Sequence, residues 1–409
     1  MRSILAGLAA IMLIAAFVHA APKPCHPAWK CQPAPTWTPL PVTLPPTVSP
    51  TAAPRPTATP TATPAIQRVD PPVTSGTVTV PSSIDATGAT DVSTALNAFI
   101  AGTPNGRIIA FPAGATYKLS QAIRLTGRTD LRFEGNGATL IASDTATASP
   151  RNSQFLIESG SNRIYIGNFH GIGGSPAANV GTGNALDPVL QNSEFVATYD
   201  AHNIELDHIT TERTWGDGIF LGAGNGGAAS GAPSSRVWWH DSTVLSAGRN
   251  GGAIEYADQV WVERVSFTNI ALHVLDIEPE YVGHGGTHVW FTDNPVGTYG
   301  WTSHNISYLF AANGISGSVT TDVYVERNTV VGNAAGYNGA PLGLNTTVRG
   351  PSRSNIFVRD NSAQRTLAGP VMYFTSVDGV TVTGNAQPLS GGSLASFTSC
   401  TNVVSSPNP

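Results

Sequence analysis

Eight times between residues 164 and 385 the chain repeats one short unit: an apolar residue, any residue, a second apolar residue, then Asn, Asp or a charged turn. The units begin at Ile164, Ile204, Val237, Val260, Val289, Val323, Ile356 and Val380, with starts 40, 33, 23, 29, 34, 33 and 24 residues apart. A fixed strand motif at variable spacing describes constant coils with insertions between them. Within each unit the first and third side chains point to one face and the middle one to the other. A strand this short cannot bury its face alone, but stacking the next coil on it builds a continuous apolar column. The Asn that closes several units is expected to take the left-handed conformation of a tight corner. An antiparallel sandwich would instead show hairpin signals and strands every ~8–12 residues.

These units predict an all-β, right-handed parallel β-helix, a solenoid. Composition agrees: charged residues are 11% of the chain and Gly numbers 43 of 409, as turn-rich β-structure requires. One helix precedes the repeats. Asp91 is a suitable N-cap, and Val92, Leu96, Phe99 and Ile100 form an apolar helical face. Such a helix would cover the open hydrophobic end of the solenoid.

The first 76 residues read differently. Arg2, the apolar run Ile4–Val18 and Val18-His19-Ala20 form a secretory signal, residues 1–20. That run is shorter than the ~20 residues a membrane-spanning helix needs, so export is expected and membrane insertion is not. Residues 21–76 contain TPLPVTLPPTVSPTAAPRPTATPTATP, a Pro/Thr-rich linker expected to be disordered and extended, a stalk that could hold the protein at a cell surface. The β-helix domain is placed at 77–400, with a tail at 401–409. Cys25 and Cys31 could close a small disulfide loop, leaving Cys400 unpaired; no Cys/His spacing suggests a metal site. The net charge of −5 argues against nucleic acid as a partner.

The stretch Asp85-Ala86-Thr87-Gly88, Asp91, Ala95-Leu96 and Phe111-Pro112-Ala113-Gly114-x-x-Tyr117 resembles the N-terminal signature of the pectate lyase superfamily. The resemblance extends over roughly residues 80–395 and implies a β-helix acting on polysaccharide, of the polygalacturonase-related kind. It does not specify a reaction, because that scaffold carries hydrolases, lyases, uronan epimerases and tailspikes.

Three segments at about one-coil intervals carry the candidate chemistry: Thr214-Trp215-Gly216-Asp217-Gly218-Ile219, Arg249-Asn250-Gly251-Gly252-Ala253-Ile254-Glu255-Tyr256, and His273-Val274-Leu275-Asp276-Ile277-Glu278-Pro279-Glu280. Alternation sends Leu275 and Ile277 inward and projects Asp276 and Glu278 together to solvent. Two glycines flank Asp217 and should leave its carboxylate unobstructed. Two carboxylates are what glycoside hydrolysis needs, one to protonate the leaving oxygen and one to activate water or attack. Asp217, Asp276, Glu278, Arg249 and Glu255 are therefore the candidate catalytic residues. Arg249 could hold a uronate carboxylate. Trp215, Tyr256, His284, His288 and Trp301 are candidate substrate-binding residues.

Compared with the polygalacturonase pattern, Gly216-Asp217 supplies one acid where that group has a pair, and Arg249-Asn250-Gly251 stands in place of its Gly-His-Gly. A hydrolase would use Asp217 with Asp276 or Glu278. A lyase or epimerase would use Arg249 or a His as base. A non-catalytic, adhesive solenoid would have no need of acids on adjacent rungs. No cofactor is expected, with Ca²⁺ on Asp276 and Glu278 as an alternative. His202, His208 and His240 read as turn or surface residues.

Overall fold

In a computed structural model of the chain, residues 67–143, 153–175, 193–300, 307–331 and 342–406 are described. The signal-like run, almost all of the Pro/Thr-rich segment with Cys25 and Cys31, and Trp301 lie outside them. Among the described residues no helix is long and apolar enough to cross a membrane.

The chain winds as a right-handed parallel β-helix with three faces. The eight repeat units form consecutive rungs of one face. Ile164 pairs with Ile204, then in turn come Val237, Val260, Val289, Val323, Ile356 and Val380. The first and third residues of every unit are buried in the core, from Ile164 and Ile166 to Val380 and Val382. Each such side chain contributes ~1.5–3 kcal/mol by leaving water. The middle residues stand outward in register and stack: Trp261 on Trp290 at 4.9 Å, Trp290 on Tyr324 at 5.5 Å, and Tyr324 on Phe357 at 4.9 Å. Residues 67–70 cross the start of this column, where Val69 is buried with Trp238 and Trp261.

At the first unit the closing Asn168 is itself left-handed (φ 59°), as the sequence predicts, but later corners differ: there the left-handed conformation is adopted by the residue before the Asn, Asp293 (φ 59°), Arg327 (φ 54°) and Asp360 (φ 56°). The Asn side chains instead turn inward and form a buried ladder. Asn294 N donates to Asn328 Oδ1 at 3.0 Å, Asn328 N to Asn361 Oδ1 at 2.9 Å, and Asn361 N to Asn385 Oδ1 at 3.1 Å. Each rung thus satisfies backbone amides that no strand pairing reaches. The left-handed residues stack as a second column of alternating charge. Arg264 grips Asp241 at 2.7 and 2.8 Å, and Arg327 grips Asp293 at 2.8 and 2.8 Å.

Helix α1 (Ser93–Gly102) closes the N-terminal end of the core with Leu96 and Ile100 buried. Val92 occupies the N-cap, and Asp91, one residue earlier, accepts from the Ser93 amide at 3.0 Å. Arg128 donates to the Ile100 and Thr103 carbonyls at the other end. The sheet continues through Thr401–Ser405, inside the stretch read from sequence as a tail.

Candidate active site

A second face of the solenoid carries the strands Val196–Asp207, Ile219–Gly222, Gly252–Ile254, Leu275–Ile277 and Phe310–Asn313. In register, Ile219 pairs with Gly252, Gly252 with Leu275 and Leu275 with Phe310. The three acidic segments are therefore neighbouring rungs, as their spacing predicts. Asp276 lies between Ala253 and Ala311, outward on its strand, while Leu275 and Ile277 are in the core.

Two residues ahead of each first paired position stands a polar or aromatic side chain: Glu194, Asp217, Asn250, His273 and Tyr308. They hand hydrogen bonds from coil to coil. Asp217 Oδ1 accepts from Asn250 N at 2.7 Å, Asn250 Oδ1 from His273 N at 3.1 Å, and His273 Nδ1 from Tyr308 N at 3.1 Å. The last bond fixes the tautomer of His273 with its proton on Nε2, which faces Asp276 Oδ2 at 3.8 Å. Burial, reinforced by Arg249, lowers the His273 pKa to about 3, so the ring is neutral. Gly218 permits the close stacking of these coils, since a Cβ there would lie 2.4 Å from the Gly251 carbonyl oxygen.

Arg249 is the centre of the cluster. Its Nη1 is 3.0 Å from Asp217 Oδ2, and its Nη2 bonds Glu278 Oε2. Burial opposes the charge on Arg249, but Asp217 and Glu278 outweigh it and hold the guanidinium more firmly protonated than usual. Burial raises every acid around it. Asp217 is pushed up to about 7 against the pull of Arg249, and Asp276 well above its ordinary value, with the Glu278 charge adding to burial. Glu278 is raised by burial and restrained by Arg249. Asp276 Oδ1 and Glu278 Oε1 have no protein partner.

Two expectations need correction. Asp217 is fully buried, because the flanking glycines draw neighbouring coils over its carboxylate. Asp276 is only 7% exposed, since adjacent coils close around it; Glu278 keeps 22% of its side chain accessible. Glu194, absent from the sequence candidates, belongs to the same cluster. It is buried, accepts from Ser153 Oγ at 2.7 Å, and is pushed up to about 8 by burial and by Asp217.

Glu255 sits at the far end of its strand. Its Oε2 accepts from the Ala223 amide at 3.3 Å and its Oε1 lies 3.6 Å from His284 Nδ1. His284 is buried, and Tyr256 stacks on it at 4.1 Å with ring planes 8° apart. These three therefore act as one unit on the site face. Trp215 is half-buried two residues before Asp217. His288 is separate from the cluster: it occupies a left-handed corner (φ 51°) on another face, half-exposed and 2.7 Å from Asp258 Oδ1. His202 is a corner residue, bonded to Ser235 and Asp200. His240, expected at a turn or on the surface, is buried within a strand and stacks on Trp238 at 3.7 Å.

No family model matches the sequence, and no curated protein does. Solved structures match the fold. An alginate lyase from Paenibacillus sp. str. FPU-7 is 14% identical over 80% of this chain and 99% of its own, with a TM-score of 0.50. A family 28 exopolygalacturonase from Yersinia enterocolitica is 14% identical over 81% and 79%, with a TM-score of 0.48. The adhesin PfbA of Streptococcus pneumoniae is 14% identical over 76% and 90%, with a TM-score of 0.47. The likeness is one of fold: the chain is built as pectate lyase-like and polygalacturonase-type parallel β-helices are.

Proposed function

We propose that the protein is an exported glycoside hydrolase acting on a polysaccharide, with Asp276 as general acid and Glu278 as the second carboxylate. One observation carries the reading. Two acids project from a single rung, and of the two only Glu278 is bonded by Arg249. Burial and the Glu278 charge raise Asp276, which favours its protonated form. Burial raises Glu278 and Arg249 opposes that rise, and the buried Oε1 of Glu278 has no protein partner. Asp276 donates its proton to the glycosidic oxygen as the bond to the sugar breaks, and Glu278 attacks the sugar carbon or takes a proton from the attacking water. Asp217 and Arg249 hold Glu278 in place, and His273 orients Asp276.

An elimination or epimerisation needs a base with a free lone pair to take the proton from the sugar carbon. Arg249 is bound to two carboxylates and His273 spends Nδ1 on a backbone amide, which favours hydrolysis. Arg249 also fills the space beside Glu278 with its own positive charge, so the reading needs no Ca²⁺. The signal-like run and the Pro/Thr-rich segment support export and a stalk.

Incubating purified protein with a panel of glycans tests the proposal. New reducing ends, without the ultraviolet absorbance of an unsaturated uronate, are the expected result. That absorbance would replace hydrolysis with elimination. Binding with neither product would make the protein an adhesive solenoid.

A further inference from the structure

Outside the carboxylate cluster, a second cluster gathers where the repeat-unit strands reach their corner. Asp207 ends one strand, and His240 ends the next rung directly opposite it, followed by Asp241. Among the described residues, one ligand atom from each of Asp207, His240 and Asp241 lies within 4.8 Å of the other two. His240 Nδ1 stands 3.5 Å from Asp207 Oδ1 and 2.7 Å from Asp241 Oδ2.

The surroundings are those of a metal centre. A histidine ligand usually offers its second ring nitrogen to a carboxylate, which fixes the tautomer and the ring plane. Here His240 Nε2 faces Glu205 Oε1 at 3.4 Å, and Nδ1 shares a proton with Asp241 Oδ2 at 2.7 Å, so an ion taking the place of that proton would meet the Nδ1 lone pair. The imidazole is locked flat against Trp238, with ring planes 24° apart. Tyr165 donates to Asp207 Oδ2 at 2.9 Å, while Asp207 Oδ1 is bonded by His208 Nδ1 and stands 3.5 Å from His240 Nδ1. Arg264 holds Asp241 through both oxygens, each with a lone pair to spare. Among the described residues, the carboxylates of Glu205, Asp207, Asp241 and Glu263 face two guanidiniums, Arg264 and Arg68, and the imidazoles of His208 and His240.

We propose that Asp207, His240 and Asp241 bind one divalent transition-metal ion of the zinc class, with Asp207 Oδ1, His240 Nδ1 and Asp241 Oδ2 as ligands and water completing the coordination. An imidazole among the ligands selects such an ion over Ca²⁺ or Mg²⁺. The ion ties two consecutive coils together at the corner. The same two coils go on to present Asp217 and Arg249, so the clamp fixes the rungs beneath the carboxylate cluster.

Zinc chloride titrated by calorimetry into chelator-treated, folded full-length protein tests the site, with thermal unfolding read with and without the metal. One zinc per chain and a higher unfolding midpoint are expected. Asp241→Asn and His240→Asn should each weaken binding at least tenfold, with unchanged far-ultraviolet circular dichroism. If His240→Asn fails to fold, Asp241→Asn decides. No zinc uptake by the folded wild type, equal uptake by Asp241→Asn, or preference for Ca²⁺ would overturn the proposal.

Discussion

Arg249 reaches back one coil to place Nη1 3.0 Å from Asp217 Oδ2, and reaches forward one coil to bond Glu278. One guanidinium thus neutralises acids on the rungs either side of its own. Replacing it by Met leaves those buried carboxylates without a counter-charge, which costs about 3–5 kcal/mol. Urea unfolding at pH 7 measures the loss. The deficit should shrink at pH 5, where the acids protonate.

Asp276→Asn and Glu278→Gln remove the proton donor and the second carboxylate while keeping side-chain shape. Release of reducing ends from the cleaved glycan should fall about 10²–10⁴-fold in each. The unfolding midpoint of Asp276→Asn should stay level or rise, because the buried position no longer has to take up a proton on folding. Full activity in either variant would reject the assignment.

Stability should decline with rising pH through the neutral range. Asp217 is raised from 3.8 to about 7 and Glu194 from 4.5 to about 8. Between those limits the folded protein holds protons that the unfolded chain has released. The unfolded state then binds fewer protons, and the free energy of unfolding falls as pH increases. Urea midpoints at pH 5 and pH 8 test the sign, the higher midpoint being expected at pH 5. Glu194→Gln should flatten the dependence.

Asn328→Ala removes the middle of the asparagine ladder. The Asn294 amide loses its acceptor, and the Phe291 carbonyl loses the Asn328 Nδ2 donor 2.8 Å away. Buried groups left unpaired cost about 1–3 kcal/mol each, so a loss of about 2–4 kcal/mol is expected by chemical denaturation. A loss near zero would mean that water fills the gap.

The coil architecture was open to reading because Ile164, Val237 and Val323 carry the same apolar pair into the same core, whatever length of insertion separates them. The corner chemistry was harder. Asn tolerates the left-handed conformation, but so can the residue before it once its own side chain gains a charge partner on the next rung. Glu194 went unseen, although it precedes Val196 by the same two positions that separate Asp217 from Ile219. That offset was the available signal. The burial of Asp217 and Asp276 depends on how closely the coils stack, which no single coil's sequence states. His288 could not be told from His284 by composition: four residues of strand carry the chain from the site face to the next corner.

The alternating corner column has a consequence for how such a chain can change length. Asp241, Arg264, Asp293, Arg327 and Asp360 alternate in sign, one per coil. Deleting the coil that carries Arg264 would set Asp241 directly under Asp293 and lose the pairing of the deleted residue. Deleting two adjacent coils would restore acid against base. The column therefore imposes parity on this stretch of the solenoid: coils can be gained or lost in pairs at little electrostatic cost, and singly only with a compensating change of charge.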